Sequence, residues 1–502
     1  MRLFSKLLVA NRGEIAVRVA RTCRVMGQPT VAIYSEADRD ALHVRECDEA
    51  ELVGPAEAAR SYLDVGAIID AARRSGADAV HPGYGFLSED AGFAAAVADA
   101  GLTFVGPPAA VHARMGDKRG ARRIMAAAGV AVVPGYDGDD QSEERLAAEG
   151  ERIGWPVMIK PSRGGGGKGM RVVGGPSEFE AALQASRREA RSAFGDESVI
   201  LERFVERPRH VEVQVLADAA GAAVHLLERE CSIQRRHQKV IEETPSPALT
   251  ESLRRELCAA ALAAARTAGY LNAGTVEFLL DAEGRFYFLE MNTRLQVEHP
   301  ITEAVTGFDL VRLQLEIAAG RELSFEQSDV VGRGHALECR IYAEDPHAGD
   351  LPSAGRVLAF SAPRGPGIRC DEGVATGSDV PVHYDPLVAK LVTWGSDRNE
   401  LLERTDDALR RTVVLGVATN LPRLRSIVEH AAFRSGEIHT GFIDEHLREL
   451  PRPAPPGAAL VAAALAALEG LRGGATSSGG AGAPPDPWSE RTGWRLGAER
   501  PR

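Results

Sequence analysis

The chain has 502 residues, more than one hydrophobic core accommodates, so two to four domains are expected. Its composition (44% apolar, 26% charged) is that of a globular protein, and a formal net charge of −12 argues against nucleic-acid binding, which requires a basic face. The six cysteines are scattered, without the short spacing of a metal site, which fits a reduced, cytoplasmic protein.

Residues 7–10 form a short apolar strand that Asn11-Arg12 interrupts at once, so the segment reads as a buried strand and not as a secretion signal. Helical spacing follows at Ile15, Val19 and Cys23, with further strands at 30–34, 77–80 and 103–105. Strands alternating with helices predict a parallel, doubly wound sheet. The first turn, Asn11-Arg12-Gly13-Glu14, lacks the glycine pattern of a dinucleotide site. The loop 81–89 is rich in turn residues and functional side chains. A helix over 118–128 ends at Gly129. Strands then dominate at 157–160, 210–216, 223–228, 274–280 and 285–290, and a further block runs from 331 to 447. The longest apolar run, 458–468, is too short to span a bilayer, so no membrane association is expected. Residues 473–487 read as a flexible linker.

Four glycines at 164–167 let backbone amides approach a phosphate, and Lys168 adds charge. Because Gly169 follows Lys168, this is not a P-loop, and alone it could equally be a hairpin tip. Lys160 ends the preceding apolar strand, and Lys118 opens a helix whose amide dipoles favour an anion; both are phosphate candidates. Glu277 lies inside an apolar strand and Glu290 ends the next, joined by a turn at 281–284. An even loop places both carboxylates on one face, whereas a bulge alters that register. Buried carboxylates need a cation, and hard oxygen donors suit Mg²⁺; two edge-strand glutamates in solvent are the bland alternative. If the chain stays extended beyond Glu290, then Asn292, Arg294, Gln296 and Glu298 share its face. His210, Glu212 and Gln214 form another polar face between valines, and 229–239 is dense in cations.

Together these residues closely resemble biotin carboxylase, the ATP-grasp component of biotin-dependent carboxylases. The match extends from Lys6 to about Leu447, and its most specific stretches are 81–89, Arg235-Arg236-His237-Gln238-Lys239 and 290–299. The resemblance implies an α/β architecture: an N-terminal doubly wound parallel-sheet domain (1–115), a central ATP-grasp fold (116–330) with a mobile lid at about 132–204, a C-terminal mixed α+β domain (331–447) and a linker-like tail (448–502). It implies carboxylation of carrier-borne biotin by bicarbonate, driven by ATP with Mg²⁺ or Mn²⁺, through carboxyphosphate.

By the same resemblance Lys118, Lys160, Gly166, Gly167, His210, Gln234 and His237 would hold the nucleotide's phosphates and ribose, and Glu202, Arg203, Phe204 and Val205 its adenine. Glu277, Glu290 and Asn292 would ligate metal. Lys239, Arg294 and the Val297 backbone would bind bicarbonate, Glu298 would deprotonate it, and Arg340 would stabilise the biotin enolate. A biotin carboxyl carrier protein, a carboxyltransferase and a second copy of the chain are the implied partners. Arg203 stands where relatives often have Lys, and Arg163 beside the glycine loop has no assigned role. The tail resembles the stretch leading into the transferase-interacting and carrier regions of long acyl-CoA carboxylase α-subunits. It holds no Met-Lys-Met biotinylation sequence, so the biotin is expected on another polypeptide, or the chain is a shortened form of a longer subunit. The competing readings are another ATP-grasp ligase, such as a carbamoyl-phosphate synthetase-like enzyme, and a catalytically silent scaffold.

Overall fold

The computed structural model describes residues 3–163, 169–450 and 457–474. The chain divides into two units, Met1–Leu450 and Pro451–Arg502, and the described part of the second is the helix Gly457–Gly474.

Near the N-terminus, five strands form a parallel sheet in the order Glu49–Gly54, Thr30–Ser35, Leu7–Val9, Ala79–His81, Thr103–Phe104. The central strand is wholly buried, as its unbroken apolar sequence requires. Helices Val65–Ser75 and Ala91–Asp99 begin at Asp64 and Asp90, whose side chains accept from the amides of Ala67 and Phe93. The edge strand Glu49–Gly54 is absent from the sequence prediction, because two glutamates and an exposed Leu52 mask the strand pattern. In the loop after Ala79–His81, Gly83 has φ 63°, and a β-carbon there would meet the Asn11 amide at 2.9 Å. That amide donates to the carbonyls of Pro82 and Tyr84 and closes the loop onto the first turn.

A second, antiparallel sheet has eight strands: Phe286–Asn292, Asn272–Leu280, Arg209–Ala217, Ala223–Arg235, Gln238–Thr244, His335–Tyr342, Leu387–Gly395 and Ile368–Glu372. Its last three come from the C-terminal block, so one sheet runs through the segments predicted as separate domains. Val211, Val213, Val215, Val276 and Phe278 pack against helix Glu251–Thr267 in one core. Alternation therefore turns His210, Glu212, Gln214 and Glu277 to the other face.

A third sheet, Gly135–Tyr136, Val199–Arg203, Val157–Pro161 and Arg171–Val173, carries helices Glu143–Ile153 and Pro176–Phe194 and its own core of Leu146, Ile159, Leu183 and Leu201. It occupies the segment predicted as the lid. Gly166 and Gly167 lie outside the described residues. Among the described residues no helix is long and apolar enough to cross a membrane, and all six cysteines are free thiols.

Candidate active site

A row of charge crosses four strands of the large sheet. Glu290 stands opposite Glu277, Glu277 opposite Glu212, and Glu212 opposite Arg229, each in direct antiparallel register. The first pairing depends on a bulge. The hairpin loop spans 281–285 between the paired Leu280 and Phe286, one residue longer than the predicted turn, and alone it would set Glu277 against Leu289. A register shift between Phe278 and Glu277 restores Glu290 to that place, the re-aiming role bulges have beside functional sites.

Lys239 Nζ sits over this row, 2.5 Å from Glu212, 2.9 Å from Glu277 and 2.7 Å from Glu298. His210 Nε2 lies 2.9 Å from Glu277, and the Gln234 amide meets His210 Nδ1 at 2.7 Å. Lys118 pairs with Glu290. Lys160 pairs with Glu202 at 2.5 Å, and Arg122 holds the other oxygen of Glu202 at 2.8 Å. Asn292 donates to Glu277 at 2.8 Å and accepts from Arg294 at 3.0 Å. Glu277, Glu290 and Asn292 thus offer hard oxygen donors on adjacent strands, with lysine ammoniums resting on both carboxylates where a cation belongs. That donor set fits Mg²⁺ or Mn²⁺.

The run beyond Asn292 corrects the extended-strand expectation. The strand stops at Asn292, residues 293–298 bend and turn, and Glu298 is the N-cap of helix His299–Thr306, with Pro300 in its first turn. Burial of Leu295 in the core beneath the N-terminal sheet drives the bend. Glu298 therefore reaches Lys239 from a helix start, while its other oxygen receives Arg340 at 2.8 Å. Arg294 contacts Glu89 at 3.1 Å and Gln296 at 2.7 Å. The fully buried Lys390 donates to the Val297 carbonyl at 2.7 Å and fixes that peptide.

Arg236 and His237 form the two-residue turn between Arg235 and Gln238, with φ 50° and 66°. Left-handed geometry at both positions marks a turn that favours Asn-Gly, and side chains there cost about 1–3 kcal/mol each. The strained turn sets His237 at the cleft wall. Arg203 and Phe204 donate their N–H groups to Pro134 and Pro156 at 2.8 and 3.0 Å, which fixes the hinge segment. Arg163 is paired with Asp196 at 3.3 Å.

The electrostatics follow from crowding in a dry site. Burial opposes ionisation of Glu298, but Lys239, Arg340 and Arg229 outweigh it and hold the carboxyl well below the ordinary range. Glu277 is likewise held low against burial by Lys239 and His210. Burial works against the Lys239 ammonium, yet Glu212, Glu277 and Glu298 keep it charged far above the usual lysine range. The same contest raises His210, with Glu277 overcoming burial.

Three cavities adjoin. The central one, about 320 Å³, is lined by Lys118, Lys239, Glu277, Glu290, Arg294 and Arg340. A second, about 450 Å³, shares Lys160 and His237 with it and is walled by Glu202, Arg203, Phe204, Val205, Leu279 and Leu289. A third, about 330 Å³, shares Arg294, Val297 and Arg340 and ends at Tyr84, Tyr342 and Tyr384. Every described residue of the predicted site lies in or beside this system. Sequence reasoning passes over Arg229, Arg122, Glu89 and Lys390. Arg229, the largest fully buried side chain among the described residues, sits in the cation-dense run 229–239, which reads as an anion pocket. Its signal was indirect: a glutamate alternating with valines at 211–215 demands a buried cation.

Three family models match in succession: biotin carboxylase N-terminal domain over 3–111, carbamoyl-phosphate synthase L chain ATP binding domain over 117–326, and biotin carboxylase C-terminal domain over 338–445. The chain is 50% identical over 446 residues to the biotin carboxylase of Halalkalibacterium halodurans, covering 89% of itself and 98% of that protein. It is 51% identical over 446 residues to the alpha subunit of methylcrotonoyl-CoA carboxylase from Glycine max, 89% of this chain but only 61% of that relative. The biotin carboxylase domain dimer of Hydrogenobacter thermophilus 2-oxoglutarate carboxylase, solved with MgADP, ADP and bicarbonate, matches with a TM-score of 0.86 at 43% identity, covering 89% of this chain and 99% of the other. The architecture is that of the ATP-grasp ligases. Within them, the chain belongs to the biotin carboxylase family.

Proposed function

We propose that the chain catalyses the first half-reaction of a biotin-dependent carboxylase, the ATP-driven carboxylation of carrier-borne biotin by bicarbonate. The observation that carries this reading is Lys239, whose one ammonium joins a carboxylate at the metal-donor end, Glu277, to Glu298 beside Arg340. The adenine occupies the cavity at Glu202, Arg203, Phe204 and Val205. Lys118, Lys160, His210, Gln234, His237 and the glycines 166 and 167 hold the ribose and phosphates. Glu277, Glu290 and Asn292 hold Mg²⁺ or Mn²⁺, which offsets charge on the phosphoryl group.

Bicarbonate binds between Lys239, Arg294 and the Val297 N–H, and Glu298 takes its proton. In the free protein Glu298 is ionised but weakly basic, because Lys239 and Arg340 stabilise its charge. An anion drawing on those cations raises its proton affinity when a base is needed. The bicarbonate oxygen attacks the γ-phosphorus, ADP leaves and carboxyphosphate forms. Arg340 borders both the central and the third cavity, so the biotin ring is assigned to the third, with Arg340 holding its ureido oxygen as charge develops. The 132–204 segment closes as a lid against water.

We assign domains at 1–115, 116–330 and 331–447 with a tail at 448–502, a cytoplasmic location, and a biotin carboxyl carrier protein and a carboxyltransferase as partners. The dimeric Hydrogenobacter domain supports a homodimer. The Glycine max relative supports a second, finer reading, an α-subunit of an acyl-CoA carboxylase of the methylcrotonoyl or propionyl type. The test is ATP hydrolysis with and without bicarbonate and free biotin. Turnover is expected to require bicarbonate and to respond to biotin; equal turnover without bicarbonate rejects the assignment.

A further inference from the structure

Beside Arg340 there is more acid than cation. Glu242 and Glu338 stand directly opposite each other on strands Gln238–Thr244 and His335–Tyr342, which sets their side chains on one face about 5 Å apart at Cβ. Both are fully buried. Glu242 Oε1 accepts from Arg340 at 2.6 Å, but Glu242 Oε2 and both carboxylate oxygens of Glu338 meet no donor among the described residues.

The cations facing the pair are Arg340, Lys239 and Lys390, and each has other partners. Arg340 also serves Glu298, and Lys239 serves Glu212, Glu277 and Glu298. Lys390 serves Glu14 at 3.3 Å and the Val297 carbonyl. The other titratable neighbours, Cys231, Cys339 and Tyr342, are kept neutral by burial. Two ionised carboxylates, opposed in a dry site with no unshared cation, repel each other and lack solvation. A proton between them relieves both costs and supplies a donor that the geometry otherwise lacks.

We infer that Glu242 and Glu338 hold one proton between them at neutral pH, and that this shared proton leaves the charge of Arg340 to Glu298 and to substrate. The titration tendencies agree. Burial, opposed by Arg340, lifts Glu242 to about 7, and burial, opposed by Lys390, lifts Glu338 well above the carboxylate range. The pair lines none of the three cavities and acts as a positioning device. Its effect on turnover rests on the function proposed above; its protonation does not.

Infrared spectroscopy of the unliganded full-length protein near pH 8, above the ordinary carboxylate range, reads the proton directly. A carboxylic-acid carbonyl band is expected, shifted by ¹³C-glutamate labelling and lost in Glu338→Gln. Absence of the band from the wild-type protein overturns the inference. In steady-state turnover Glu338→Gln mimics the neutral partner, so kcat at neutral pH is retained, while the alkaline limb moves up by about one pH unit because the proton can no longer leave. A profile coincident with wild type, or loss of kcat at every pH with the fold intact, overturns the inference. If Glu338→Gln does not fold, the same profile measured on Glu242→Gln and the wild-type infrared titration decide. A band present in a protein without bicarbonate-dependent turnover upholds the shared proton and rejects the functional reading instead.

Discussion

Lys239 Nζ lies 2.7 Å from Glu298 Oε1 and 2.9 Å from Glu277 Oε1, so one ammonium ties a helix N-cap to the middle of a strand. All three groups are largely buried, and the pairing survives because several carboxylates share the cation in place of one. The arrangement is preloaded. A bound anion competes for a cation that is already charged, oriented and stripped of water.

Replacement of Glu298 by Gln keeps the shape of the side chain and removes its basicity. Folding and nucleotide affinity are expected to persist, while bicarbonate-dependent turnover falls by roughly 10²–10⁴-fold, the span of a general base. Steady-state ATP hydrolysis checks this, and retained turnover removes Glu298 from the mechanism.

Glu290→Gln weakens the metal donor set without disturbing the core, because Glu290 is a third exposed. The Mg²⁺ concentration for half-maximal activity is expected to rise by about tenfold or more. Titration of activity with Mg²⁺ after chelation and dialysis measures it; an unchanged midpoint excludes Glu290 as a ligand.

Arg229 is wholly buried and bonds to Glu212 at 2.6 Å, Gln214 at 2.8 Å and Thr302 at 2.9 Å. Arg229→Met leaves Glu212 with Lys239 alone, and loss of one partner of a buried pair costs about 3–5 kcal/mol. Urea unfolding monitored by circular dichroism tests this, and a stability change within about 0.5 kcal/mol shows that the site repacks.

His43, His81 and His112 are buried, and burial pushes each down to about 4, against Asp38, Gln314 and Glu89 respectively. Their ordinary value is about 6.5, so between these limits the unfolded chain binds more protons than the folded one. Their contribution to stability is complete above about pH 6.5 and lost as pH falls toward 4. Unfolding at pH 5 is therefore expected to take up protons at these three positions, seen as a urea midpoint that drops between pH 6.5 and 4. A midpoint unchanged over that range contradicts their burial as neutral imidazoles.

Much of this was legible in the chain. The parallel sheet followed from apolar strands alternating with helices, except at Glu49–Gly54, where an exposed edge obscures the pattern. The residues that line the cavity system were legible where family-like motifs held them together. The hairpin was legible as well, but its odd loop and compensating bulge were not, since a bulge is decided by the partner strand. The bend after Asn292 was hidden because it answers to the burial of Leu295 in a core built mostly by distant segments.

Sequence alone determined sidedness. That His210, Glu212 and Gln214 face away from Val211, Val213 and Val215 is a period-two property of one strand and needs no neighbour. Adjacency was left to the tertiary structure. Glu212 meets Glu277 only because Arg209–Ala217 pairs with Asn272–Leu280, and Lys239, Glu298, Arg340 and the Glu242–Glu338 pair meet only because the C-terminal block adds its strands to the same sheet. The physical reason is range. Backbone geometry sets which face a side chain takes within two residues, whereas the sharing of charge in a dry site is fixed by segments that only the folded core brings together.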